Sequence, residues 1–182
     1  YSKDELYLLF VPSTLGPCRT GQYFVFYENL FRDLELDNVV VITMDSENSY
    51  TEFGPDFTKN VWRGMVIADY MKDIETTLRT CAVDPEKALA VYDDLWRQLI
   101  SVTEEGKPRR VFKVLRQIVR DVKKIPLKRQ MKDTPKVLVV GEIYVRRDDF
   151  AVDELVRIFA RNGIIAKVSS VSEWVYYCDF LR

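Results

Sequence analysis

At 182 residues, 47% hydrophobic and 30% charged, the chain has the composition of a globular protein of one domain or two small ones, large enough to bury a real core. Its 27 lysines and arginines nearly balance 28 aspartates and glutamates, so bulk charge points neither to nucleic acid nor to an acidic partner, and any electrostatic function has to be local. The absence of histidine removes Ser-His and Cys-His catalysis and every histidine-ligated metal site, three widely separated cysteines suggest no disulfide framework and fit a reducing cytoplasm, and no apolar run is long enough to span a bilayer.

The first element is Leu6–Val11, a nearly continuous apolar run of the kind expected of a parallel strand buried on both faces. Pro12, Gly16 and Pro17 break the chain, and from about Gly21 the residues Phe24, Leu30, Phe31 and Leu34 recur at helical spacing, predicting a helix to about Leu36. Val39–Met44, rich in β-branched residues, completes a β-α-β unit. A polar stretch, Asp45–Ser49, leads to a helical middle. There Pro55 to about Thr80 carries Phe57, Val61, Met65 and Ala68 at helical spacing, and Asp84 before Pro85 signals the start of a second helix running to about Glu105. Gly106-Lys107-Pro108 breaks it, and a third helix follows to about Ile125, where Pro126 stops it. Lys136–Val140 reads as another buried strand, a helix runs from about Phe150 to a cap at Asn162-Gly163, and a strand at Ile165–Val168 precedes a short helical tail. The organisation is therefore a first β-α-β unit (1–54), a helical segment (55–130) and a second β-α-β unit (131–182). Strands alternating with helices predict an α/β fold with parallel strands and right-handed crossovers. Whether the four strands form one sheet or two is left open by pattern.

In open α/β sheets ligands sit beyond the carboxyl ends of the strands. Four segments qualify: the Cys18 loop, Asp45–Ser49, Gly141–Arg147 and Ser169–Trp174. Cys18 falls where a strand hands over to a helix, and there the unpaired N–H groups and the helix dipole favour a thiolate, the form that binds metal and attacks electrophiles. Metal ligand, metal-free nucleophile and small residue in a tight turn are the readings open to it. Gly141-Glu142 reads as backbone that approaches a ligand beside a strand-end carboxylate, or as a strand exit followed by a solvated acid. Arg19 and Arg146 carry the fork that holds phosphate or carboxylate in bidentate fashion, whereas Arg147, beside Asp148 and Asp149, reads as a local ion pair. Cys81 and Cys178 match no ligand spacing and read as ordinary buried or half-buried thiols.

The stretch Gly16-Pro17-Cys18-Arg19-Thr20-Gly21-Gln22-Tyr23 resembles the cysteine signature of the large activator-related proteins of the 2-hydroxyacyl-CoA dehydratase (2-hydroxyglutaryl-CoA dehydratase) family. A second block is similar to a later region of the same family: Pro135–Arg146, with Gly141-Glu142-Ile143-Tyr144-Val145-Arg146 at its end, then Asp149-Phe150-Ala151 and Glu173-Trp174-Val175-Tyr176-Tyr177. The two blocks bracket nearly the whole chain. The resemblance implies flavodoxin-like, dehydratase-subunit-like α/β units joined through helices, in a fragment of a CoA-substrate-specific enzyme activase without its ATPase domain. It implies a part in iron–sulfur-dependent electron transfer for acyl-CoA dehydration or reduction, with Cys18 a ligand of a [4Fe–4S] cluster and Arg19, Gly141 and Glu142 at the cofactor edge. The implied partners are other domains of the parent protein or a dehydratase-type subunit, and acyl-CoA, with no nucleic acid and no membrane. Where the relatives tend to show another cysteine, this chain reads Val171-Ser172-Glu173-Trp174, so the expectation is that the 182 residues alone hold no cluster. Neither a Walker loop nor a dinucleotide fingerprint is present.

The competing class is a non-catalytic interaction module in which Cys18 is structural and a basic helix docks a partner. Between Lys107 and Arg129 ten lysines and arginines stand against only Asp121, while Val111, Leu115, Ile118, Val122 and Ile125 form one apolar stripe. Such a helix is either a solvated face or a docking face for an acidic domain or the phosphates of coenzyme A. Aromatic residues are not interleaved with the charges beyond Phe112, which argues against nucleic acid.

Overall fold

The computed structural model describes residues 2–13, 18–44 and 53–180. In chain order the elements are β1 (Tyr7–Pro12), a 3₁₀ turn (Arg19–Gln22), α1 (Tyr23–Asp33), β2 (Val39–Met44), α2 (Pro55–Cys81), α3 (Pro85–Glu104), α4 (Pro108–Val122), a 3₁₀ turn (Met131–Asp133), β3 (Lys136–Val139), α5 (Asp149–Arg161), β4 (Ile165–Val168) and α6 (Val171–Phe180). The fold is mixed α/β and mostly helical, with two short parallel strand pairs rather than one four-stranded sheet. Contacts divide the chain into a unit of residues 1–59 and a unit of residues 60–182.

In the first unit β1 lies parallel to β2 with Tyr7 opposite Val39 and Pro12 opposite Met44, and α1 makes the crossover. Strand alternation puts Leu9 and the buried Val11 on one face. The other face carries Leu8 and Phe10, of which Leu8 is 60% exposed, so the expected burial on both faces is not met by a sheet of only two strands. Phe10 instead meets Phe53, which in turn meets Phe57 at 5.0 Å between ring centroids.

The second unit is organised by α2. Its apolar side, with Met71, Ile74 and Leu78, packs against the α3–α4 hairpin through Tyr92, Leu95, Leu99, Val111 and Ile118. Its polar side, Asp69, Asp73, Thr76 and Thr80 at spacings of four, three and four, turns toward the β3–α5–β4 layer: the Thr80 hydroxyl lies 3.4 Å from Ile164 O, and Lys167 reaches Asp73 at 3.5 Å. Within that layer Val152 and Val156 of α5 cover Val137, Val139, Ala166 and Val168, and β3 pairs parallel with β4 from Lys136 opposite Ile165 to Val139 opposite Val168. Asp84 accepts from Lys87 N at 3.0 Å, as its place before Pro85 predicts. The predicted third helix is shorter than expected: α4 ends at Val122, and the amides of Lys124 and Ile125 tighten into bonds to the carbonyls three residues back because Pro126 disfavours helical backbone at Ile125.

The two crossover helices end alike. In α5 the bonds Gly163 N to Ala160 O and Ile164 N to Phe159 O, both 2.9 Å, close a Schellman turn with Gly163 at φ +72°. In α1 the bonds Glu35 N to Arg32 O and Leu36 N to Phe31 O close the same turn, which stops the helix at Asp33 rather than near Leu36. The residue forced into the left-handed region is here a glutamate, at φ +54°. Because only glycine adopts that conformation without steric cost, Glu35→Gly is expected to raise unfolding stability by about 1 kcal/mol. Urea titration measures it, and a loss of stability would contradict this account of the turn.

Candidate functional site

Cys18 precedes the 3₁₀ turn that leads into α1, in extended conformation at φ −77° and ψ 128°. It is exposed, its thiol donates to Thr20 Oγ1 at 3.2 Å, and its carbonyl accepts from Gly21 N at 3.2 Å. Arg19, next in line, is exposed. A thiol at the entrance of a helix is placed where backbone N–H groups stabilise negative charge. Positions 14–17 and the strand-end segment 45–49 lie outside the described residues.

In the second unit the segments after β3 and β4 share the carboxyl edge of one strand pair. Gly141 stands at φ +141°, a conformation that demands glycine, yet a side chain added there would meet nothing within 4 Å. The backbone conformation alone accounts for the glycine, and no described protein atom crowds the position. Glu142 turns its carboxylate inward on its own segment, accepting from Val145 N at 2.9 Å and so tying down the turn through 142–147. Arg146 is half-buried, with Nε enclosed and no hydrogen-bond partner for that atom among the described residues.

Arg147 corrects the sequence reading. It does not pair with Asp148 or Asp149 but with Asp69 of α2, 78 residues earlier, and a second contact reaches Ser169 O at 3.4 Å. Asp148 is occupied otherwise, accepting from Ala151 N to cap α5. Asp69 is buried, and its two oxygens take Val171 N at 3.1 Å and Ser172 N at 2.8 Å, the first amides of α6. Burial opposes ionisation of this carboxyl, but hydrogen bonds from Ser172 and Val171 and the Arg147 charge outweigh it and hold Asp69 below its ordinary value of 3.8. A helix N-terminus at a strand end is a ready anion site, and here an internal carboxylate fills it. A few residues on, Tyr176 of α6 meets Trp62 of α2 edge to face at 4.7 Å.

Six residues further along α2, Glu75 bonds Arg79 and Lys72 at 2.7 and 2.8 Å, and Arg79 reaches Asp153 of α5 at 3.4 Å. Burial raises the Glu75 carboxyl less than these two cations lower it. Asp69 and its row were not singled out from sequence, although a polar stripe at four, three and four along a long helix was the available signal.

The strand pairs put Glu142 and Trp174 past the ends of β3 and β4, while Cys18 and Arg19 follow β1 in the first unit; the three strand ends are not one sheet edge. Cys81 is fully buried, 3.5 Å from Thr134 Oγ1, and its carbonyl accepts from Lys128 N; the Cys178 side chain lies outside the described residues. Among the described residues no group of three or more cysteines and carboxylates could hold a metal ion, and none of the helices is long and apolar enough to cross a membrane. No protein-family model, curated protein or solved structure matches the chain.

Asp69→Asn is expected to cost about 3 kcal/mol at neutral pH, because it leaves Arg147 and two amides facing a neutral group in a buried place. The sign with pH follows from the lowered carboxyl. Its contribution is full above the unfolded value near 3.8 and is lost as pH falls through the folded value, so the gap between wild type and variant narrows in acid. Denaturation at a series of pH values measures it; a gap independent of pH would contradict the assignment.

Proposed function

We propose that the chain is part of an activase related to the 2-hydroxyacyl-CoA dehydratases, in which Cys18 supplies one thiolate of an iron–sulfur centre used for acyl-CoA dehydration or reduction in the cytoplasm. The observation that carries the reading is the contrast between the thiols. Cys18 is exposed at the carboxyl end of a parallel strand and the entrance of a helix, within a motif that resembles the family's cysteine signature, whereas Cys81 is wholly enclosed. The two parallel β-α-β pieces are compatible with the flavodoxin-like, dehydratase-subunit-like frame that the resemblance implies.

The described residues do not by themselves fit a [4Fe–4S] cluster. Such a cluster takes several cysteine thiolates, and they offer one exposed thiol. The remaining ligands therefore belong, in this reading, to another part of the parent protein or to a dehydratase-type subunit. What this chain contributes is one ligand position, with Arg19 beside it to offset the negative charge of thiolates.

Anaerobic reconstitution with iron and sulfide of the natural protein that contains this chain tests the proposal. Cys18→Ala is expected to abolish or strongly reduce the cluster's charge-transfer absorbance and its iron content, with Cys81→Ala leaving both in place. An unchanged spectrum in the Cys18 variant removes the thiol as a ligand and with it the proposal.

A further inference from the structure

The strongest unexplained feature lies on α4. Its inward face is spent: Val111, Val114, Leu115, Ile118 and Val122 pack on α2 and α3. On the opposite face stand Arg109, Lys113, Arg116, Arg120 and Lys123, all exposed, and none has an ion pair among the described residues. Acids near the helix are used elsewhere, Glu105 by Arg110, and Asp121 by Lys124 and Gln117. Among the described residues these five cations thus face solvent together, Arg120 alone being near enough to Asp121 to help lower that carboxyl.

Their spacing is informative. The steps are four, three, four and three residues, an average of 3.5, which keeps the row in line along about 20 Å of helix axis. Beside it run Phe112 and Val119, seven residues apart and each 51% exposed. A heptad row of charge bordered by a heptad row of apolar side chains is the pattern one helix presents to another in a coiled-coil-like pairing. A polyphosphate or a lipid surface asks for positive charge but for no such register. Net charge also argues against a polyanion, since the whole chain is at −1 and would not steer one from a distance. Like charges three and four apart repel one another along the helix, so the row opposes helix formation unless something answers it.

From this we infer that the outer face of α4 docks an acidic helix of a partner protein, with carboxylates at heptad spacing along Arg109, Lys113, Arg116, Arg120 and Lys123 and an apolar flank against Phe112 and Val119. The inference is independent of the role of Cys18.

The probe is a synthetic helical peptide carrying glutamates in a heptad row beside a row of leucines, titrated into the full chain and read by fluorescence anisotropy. Saturable binding that weakens with added salt is expected. The double reversal Arg116→Glu with Arg120→Glu should lower affinity by about tenfold or more, Arg116→Gln with Arg120→Gln by less, and Arg97→Glu on α3 not at all. The reversal relieves repulsion on an exposed face, and an unchanged circular dichroism spectrum confirms that the helix stays folded. Equal binding of a peptide with the same residues in scrambled order would overturn the inference, as would an undiminished affinity of the reversed variant. Tighter binding of duplex DNA or of phosphatidylserine vesicles would reassign the face to those polyanions, and self-association of the chain abolished by the reversal would reassign it to a second copy.

Discussion

The second unit depends on a carboxylate that α2 carries into the end of a strand pair. Asp69 meets three donors that come from two different strand exits: the Arg147 guanidinium after β3, and the Val171 and Ser172 amides after β4. Without it the start of α6 would leave buried N–H groups unanswered and Arg147 would be a half-buried cation with no counter-charge. With it, α2 is bound to β3, β4 and α6 at once, and the apolar side of the same helix holds the α3–α4 hairpin. This contact, together with the apolar cover that α5 provides, explains how a layer with only two four-residue strands stays ordered.

It also changes what the strand ends can do. In a parallel α/β unit the helix N-terminus after a strand is the usual seat for a phosphate or carboxylate of a ligand. The seat after β4 is taken by the protein's own aspartate, and Glu142 after β3 is spent on its own turn. At the carboxyl edge of the second unit both carboxylates thus take hydrogen bonds from the chain itself. The first unit differs, with an exposed thiol at the corresponding place after β1. The row of outward positive charge sits elsewhere again, on α4.

Much of the fold was legible because its signals are local. Apolar runs marked Leu6–Val11, Val39–Met44 and Ile165–Val168, Asp84-Pro85 marked a helix start, and Asn162-Gly163 marked a helix end with the glycine that a left-handed turn prefers. The same turn after α1 was missed because Glu35 occupies it, a residue with no preference for that conformation. Arg147 was misread for a related reason. Its neighbours in sequence, Asp148 and Asp149, offer an obvious pair, while the true partner is 78 residues away on a helix whose two faces are both used, one apolar and one polar, so that no single stripe announces which side meets the strands. Cys18 was identified from its place between strand and helix, and its exposure could not have been read from the sequence, since that depends on how residues 18–22 fold back on themselves.

Amide hydrogen exchange at Val171 and Ser172 tests the central claim most directly, because those two N–H groups have no acceptor in their own helix and owe their hydrogen bonds to Asp69. Strong protection of both in the wild-type chain, lost in Asp69→Asn while the amides at the centre of α3 stay protected, is the predicted result. Exchange of the two amides at the rate of an unstructured peptide in the wild type, or protection that survives the substitution, would contradict it.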